Sequence, residues 1–348
     1  MITGMDRLAA AARGEILDRI PVFCNLVDQG ARELGMPLET YFSRGEYVAE
    51  AQLRMLGKYG HDNVWSLFYV GREAELLGCR KIKYANDGPP NVEDFVIKSY
   101  ADIERLEVPD DISTHPAFAE TAHCLEILKR EVGGKAPICA YLTASMSLPA
   151  ILMSMEKWIE LLMLGPTEMR DLLLEKCSAF FQKEIEAYRK AGADVLVYAD
   201  PYGSTDIVPM SMFRELSLPW MKRDLATGGL DGVVYYVGGA RVNGVLDQVI
   251  EEVGFGTYYP GPMDDIGDSM RIVADRALCG AVINDIRLID WTPDEVRAEV
   301  KRLVQRGLKI SKKLFFGTIL MPFGIPEANI KAMIDAACEF GRPDRLEA

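Results

Sequence analysis

Eight short apolar runs, rich in β-branched and aromatic residues, recur along the chain with longer amphipathic stretches between them. They are RIPVFCNL (19–26), NVWSLFY (63–69), PICAYLT (137–143), DVLVYAD (194–200), GVVYYVGG (232–239), GTYYPG (256–261), GAVIND (280–285) and LFFGTI (314–319). Runs of this length read as buried strands rather than helices. Helical patterns cover 47–58, 116–131, 166–191, 210–226, 242–253, 265–277, 292–306 and 326–340. The seventh opens on Thr292-Pro293-Asp294-Glu295, an N-cap followed by proline and acids in the first turn. Alternation of this kind means βαβ units and a parallel sheet. Eight strand–helix units predict one (β/α)8 TIM barrel spanning residues 1–348 as a single α/β domain. A doubly wound sheet uses the same alphabet, but no G-x-G-x-x-G follows the first strand. Residues 71–116 break the rhythm and predict an insertion after the second strand, with a hairpin at Asn86-Asp87-Gly88-Pro89-Pro90, lying over one end of the barrel.

Charge narrows the partners. Asp and Glu number 52 against 39 Lys and Arg, a formal charge of −13, and no basic cluster interrupts the excess. Nucleic-acid backbones and anionic membranes need concentrated positive charge, so neither is expected as a partner. The first residues lack an apolar secretory core, and no run approaches the roughly 18 apolar residues of a spanning helix. A cytoplasmic protein is expected. Cys24, Cys79, Cys124, Cys139, Cys177, Cys279 and Cys338 form no C-x-x-C pair and read as reduced core thiols. His61, His115 and His123 follow no strand, and H-x-x-x-H, G-x-S-x-G and Walker-type patterns are absent, so serine hydrolases and P-loop enzymes drop out.

Active sites of such barrels lie at the strands' C-terminal ends. The polar residues there are Asn25 and Asp28, Glu73 and Glu75, Tyr141 and Thr143, Asp200 and Tyr202, Tyr236 and Arg241, Tyr258 and Tyr259, Asn284 and Asp285, with Met321 after the last strand. Several have plain structural readings. Asp200 precedes Pro201 and suits a turn, Asn284 suits a helix lead-in, Glu73 and Glu75 suit a solvated loop, and Tyr236 suits wall packing. His61 precedes the second strand and reads as structural.

The stretches LDRIPVF, KYGHDNVW, EAELLGCRKIKYANDGPPNVED, the segment from Gly165 to Arg223, VYYVGG and PEANIKAMIDAACEFG resemble the uroporphyrinogen decarboxylase superfamily. The likeness runs nearly the whole length and is nearest the corrinoid-dependent methyltransferase branch, which includes methylcobamide:coenzyme M methyltransferases. It implies methyl transfer between a small methylated substrate and the cobalt of a separate corrinoid protein, since no D-x-H-x-x-G corrinoid-binding pattern occurs in this chain. Thiol-methylating members carry His-x-Cys-Gly after the fifth strand and a further Cys after the eighth, as zinc ligands. The matching positions here are Tyr236, Gly238 and Gly239, and the later segment contains Met321. A phenol ionises near pH 10 and glycine has no side chain, so thiolate-activating zinc is not expected. A non-standard zinc site from Glu75, Asp200 or Cys139 stays open.

Without that zinc, the resemblance implies a demethylating component whose task is protonating the departing group. Asp200, Tyr236 and Glu75 are the candidate acids, and Asn284 the candidate for orienting the substrate. Asn25, Asp28, Tyr141, Tyr202, Gly238, Gly239, Tyr259 and Met321 are the candidate substrate contacts. The Met-rich segment 146–158 offers either a docking face for the corrinoid protein or a core helix, and a homodimer is open to the chain. Two other classes remain: a lyase acting on a small carboxylate through Asp200 and Arg32, and a ligand-binding barrel without catalysis.

Overall fold

The computed structural model describes residues 1–345. All eight expected strands form: β1 (Val22–Phe23), β2 (Val64–Trp65), β3 (Ile138–Thr143), β4 (Val195–Ala199), β5 (Val233–Tyr236), β6 (Thr257–Tyr259), β7 (Leu278–Ile283) and β8 (Leu314–Thr318). They pair in parallel in the order β1-β8-β7-β6-β5-β4-β3-β2, a curled sheet with helices around it, as a TIM-barrel-like α/β fold requires. Alternation along each strand sends Tyr141, Val197, Tyr236 and Tyr259 to the lumen. Tyr198, Tyr235 and Tyr258 on the opposite face pack around Phe255.

The ring is sealed differently between β1 and β2, which share no ladder in this sheet. There the side chains of Asp62 and Asn63 reach across. Asn63 Oδ1 accepts from the Cys24 N–H at 2.8 Å and its Nδ2 donates to the Cys24 carbonyl at 3.3 Å, which also accepts from Trp65 Nε1 at 2.8 Å. The Val22 N–H donates to Asp62 Oδ2 at 2.7 Å, and the Asp62 N–H to the Val22 carbonyl. One amide side chain thus takes the place of a strand's backbone partner.

Helices follow the sequence pattern with local departures. The stretch expected as one helix over 210–226 contains a π turn, Phe213–Ser217, before Leu218–Asp224. Pro219 has no N–H to give to the carbonyl four residues back, and the wider turn absorbs the loss. The insertion holds the expected hairpin, Ile82–Lys83 against Asn91–Val92, and is pinned by the Ile97 N–H on the Leu152 carbonyl. In the Met-rich segment Met146 and Met153 are buried, and Trp158 Nε1 bonds the Met146 carbonyl at 2.9 Å. Most of the segment is therefore core, with Met155 exposed.

A first helix, Gly4–Ala12, opened by a Thr3/Asp6 capping box, lies across the strands' N-terminal ends. Its Arg7 pairs with Asp18 and Asp62 at 2.6 and 2.9 Å, and Arg19 meets Asp62 at 2.5 Å. His61 beside them is buried and its pKa is pushed down to about 4 by that burial, which keeps it neutral, as its structural reading expects. No helix among the described residues is long and apolar enough to cross a membrane.

Candidate active site

An aromatic layer divides the barrel. Phe68 stacks on Tyr141 (centroids 4.6 Å apart), Tyr141 meets Tyr236 edge-on (5.5 Å), Tyr236 meets Tyr259 (5.6 Å), and Tyr259 leans on Phe315 (5.1 Å), which touches Phe23. Tyr259 crosses from β6 to donate to the Thr318 carbonyl at 2.7 Å. Gly317 makes this passage available, since a Cβ there would lie 2.0 Å from the phenol oxygen. Burial holds the Tyr236 and Tyr259 phenols above their ordinary range, so both are neutral donors at any physiological pH.

Beyond this layer, four buried acids follow strand ends: Asp28 after β1, Glu73 after β2, Asp200 after β4 and Asp285 after β7. Asp200, just past β4, is 1 % exposed, accepts from Ser147 Oγ at 2.6 Å and from the Gly203 N–H at 3.2 Å, and burial pushes its pKa up to about 7. Glu73 accepts from the Thr143 N–H and Oγ1, both at 2.7 Å, and burial pushes its pKa to about 7 as well. Asp28 reaches about 7 through burial alone. Asp285, past β7, is fully buried, neither carboxylate oxygen has a hydrogen-bond partner among the described residues, and burial pushes its pKa to about 8. It lies near Tyr141, Tyr236 and Tyr259 of the aromatic layer. None of the four is in a salt bridge with a cationic side chain among the described residues.

The other candidates separate by place. Asn25, Tyr141, Tyr236 and Tyr259 line a cavity in the barrel interior. Tyr202 is half-buried, its N–H donating to Ser147 Oγ at 3.0 Å, next to Asp200. Met321 is buried, its carbonyl accepting from Gln29 Nε2 at 3.1 Å, which ties the loop after β1 to the loop after β8. Gly238 takes a left-handed φ of +66° and Gly239 has open space where a Cβ would be, so the turn after β5 leaves room beside Pro201. Asn284 is half-exposed and caps the short turn Asp285–Ile289, its amide nearest the Met263 sulfur.

Glu75 faces away from the ring of acids: it pairs with Arg72 at 3.1 Å and bonds the Tyr69 hydroxyl. Glu73, two residues earlier, makes the inward contact, and Asp285 rather than Asn284 is the buried group after β7. Ser147 was marked by no pattern; only its place five residues after Leu142 and in front of β4's end gives it a role. Arg32 donates to the Ile325 carbonyl at 2.9 Å and lies over the Phe323 ring, so its guanidinium is engaged in holding loops together. Tyr236, Gly238 and Met321 offer a phenol, no side chain and a thioether, a donor set that does not fit a zinc thiolate site. Cys139 lines the interior cavity, apart from Glu75 and Asp200, and among the described residues no three His, Cys, Asp or Glu side chains gather closely enough to hold a metal ion.

A parallel barrel with buried, unpaired acids at the C-terminal strand ends defines an enzyme-type α/β barrel. Residues 3–340 match the family model for uroporphyrinogen decarboxylase (URO-D), and the chain belongs to that family. It is 24% identical over 342 residues to the methylcobamide:CoM methyltransferase MtaA of Methanosarcina barkeri, covering 96% of this chain and 97% of that one. It is 25% identical over 347 residues to the methylcobamide:CoM methyltransferase MtbA of Methanosarcina acetivorans, with the same coverage. The uroporphyrinogen decarboxylase of Geotalea daltonii is 24% identical over 252 residues, 70% of this chain and 71% of that one. A solved methyltransferase from Methanosarcina mazei shares the fold, with a TM-score of 0.82 at 20% identity over 98% of this chain and 99% of that chain.

Proposed function

We propose that this chain is a methyltransferase that moves a methyl group between a small methylated substrate and the cobalt of a separate corrinoid protein, in the demethylating direction and without a thiolate-activating zinc. The observation that carries the reading is the ring of buried acids without cationic partners, poised to hold protons near neutral pH. The partner's corrinoid supplies the nucleophile for the methyl group.

This chain's residues then manage the atom left behind. When a methyl–oxygen or methyl–nitrogen bond breaks, that atom gains negative charge and must be protonated as charge develops. Asp200, oriented by Ser147 and Gly203, and Asp285, near the tyrosines, hold such protons; Tyr236 orients the substrate from the aromatic layer. Asp28, Tyr141, Tyr202, Tyr259 and Met321 shape the surroundings, and Gly238 and Gly239 leave the entry open. Asn284 sits at the rim as a polar contact, and Glu75 steadies the insertion through Arg72.

The family's other named activity is less well supported. Uroporphyrinogen carries many carboxylates, and Arg32, the arginine at the matching place, is already engaged with the Ile325 carbonyl and the Phe323 ring. Reduced corrinoid mixed with the protein and a panel of methylated phenols, amines and thioethers tests the reading. Conversion to the methylated corrinoid's spectrum with one donor, lost in Asp200→Asn, supports it. No conversion in either direction with any donor or acceptor would falsify it.

A further inference from the structure

On the other side of the aromatic layer, the barrel encloses a cavity of about 270 Å³. Its inner wall is Phe23, Trp65, Tyr141, Tyr236, Tyr259 and Phe315; its outer end is bounded by the first helix through Leu8 and Ala9 and by the strand starts at Gly232 and Gly256. Ala9, Gly232 and Gly256 are exposed, so the cavity opens on the N-terminal face, opposite the acids. Barrels of this class are ordinarily packed through by side chains, and unfilled apolar volume costs stability.

One polar group is left over inside. Asn25 is 2 % exposed and lines the cavity, yet its Oδ1 has no hydrogen-bond partner among the described residues. A buried amide without a partner is a cost that a bound molecule relieves. No Lys, Arg or His lines the walls, and the one acid, Asp194, sits at the outer rim with an oxygen taken by the Ile138 N–H.

We propose that this lumen is a binding site for a neutral aromatic molecule of substituted-benzene size, entering from the N-terminal face, with a hydroxyl that meets Asn25. Size fits: a dry apolar cavity of about 150 Å³ accepts benzene, and this one has room for a substituent. Six rings supply edge and face contacts, and a hydroxyl both donates and accepts, so it satisfies either end of the amide. The site lies across the aromatic layer from the four acids, none of which is in its walls.

Calorimetric titration with phenol and toluene tests it. The wild-type protein should bind both saturably, phenol about tenfold more tightly through the Asn25 bond. Asn25→Leu should erase the preference while toluene still binds. Ala9→Phe and Gly256→Leu, which add bulk at the outer end, should weaken both ligands at least about tenfold with the fold intact by circular dichroism. Absence of saturable binding overturns the proposal, as does unchanged binding in both Ala9→Phe and Gly256→Leu; a phenol preference retained in Asn25→Leu overturns the role of the amide.

Discussion

Asp62 and Asp285 are aspartates of nearly equal burial at opposite ends of one barrel, and they are treated in opposite ways. Asp62 is clasped by Arg7, Arg19 and the Val22 N–H. Asp285 has no hydrogen-bond partner on either oxygen among the described residues. A buried carboxylate must be paired, or it must keep its proton. The N-terminal end takes the first course and gains a fixed clamp between the first helix, β1 and β2. The C-terminal end takes the second, for four acids together, and gains groups that change protonation near neutral pH.

The contrast can be broken from either side. The largest effect is expected for Asp62→Ala, which leaves the buried Arg19 without its anion, leaves Arg7 with Asp18 alone and opens the β1–β2 seam: a loss of about 3–5 kcal/mol in denaturant unfolding. Asp285→Asn should leave stability unchanged or raise it, because the native group already carries its proton. Next comes activity. Asp200→Asn should lower kcat by about 10²-fold or more in the corrinoid assay, with KM for the donor little changed. A wild-type rate in that variant removes Asp200 from proton transfer.

A pH titration sharpens the comparison further. The four upper acids hold protons in the fold up to about pH 7 to 8, whereas in the unfolded chain they ionise near pH 4. The folded state therefore binds more protons across that window, and stability falls as pH rises through it, by about 1–3 kcal/mol in total after relaxation. Thermal unfolding between pH 5 and 8 reads this, and Asp285→Asn should flatten the slope; a stability that climbs with pH would contradict the assignment. If the proposed reading holds, the demethylating rate should fall above about pH 7, as the donors lose their protons. The smallest effect belongs to Tyr236→Phe, less than about tenfold in kcat, because its hydroxyl orients rather than transfers.

Periodicity made the barrel legible because its eight strands are buried on both faces and its helices carry a single apolar stripe. For the same reason the strand ends were legible, with Asp200 just past β4 and Tyr141, Tyr236 and Tyr259 on the lumen side of their strands. Glu73 and Glu75 were not separable from sequence. The segment Arg72–Leu76 is a helical turn rather than a loop, and two residues on a helix differ by about 200° in direction, so one acid turns in and the other out. Asn284 and Asp285 exchange places by the same kind of detail, since a tight turn begins between them. The lumen was invisible because it depends on where the first helix lies and on Tyr259 crossing to β8, which no local pattern records.

The side-chain seam between β1 and β2 also sets a timetable. With only Asp62 and Asn63 on one flank, β1 finds its backbone ladder solely in β8, Val22 opposite Phe316 and Phe23 opposite Gly317. On a growing chain, β1 must therefore wait unpaired until Phe316 has been made, and ring closure is a long-range event of the slow kind. In the meantime, the clamp of Arg7, Arg19 and Asp62, all made well before β8, can form and hold β1 in place for its partner.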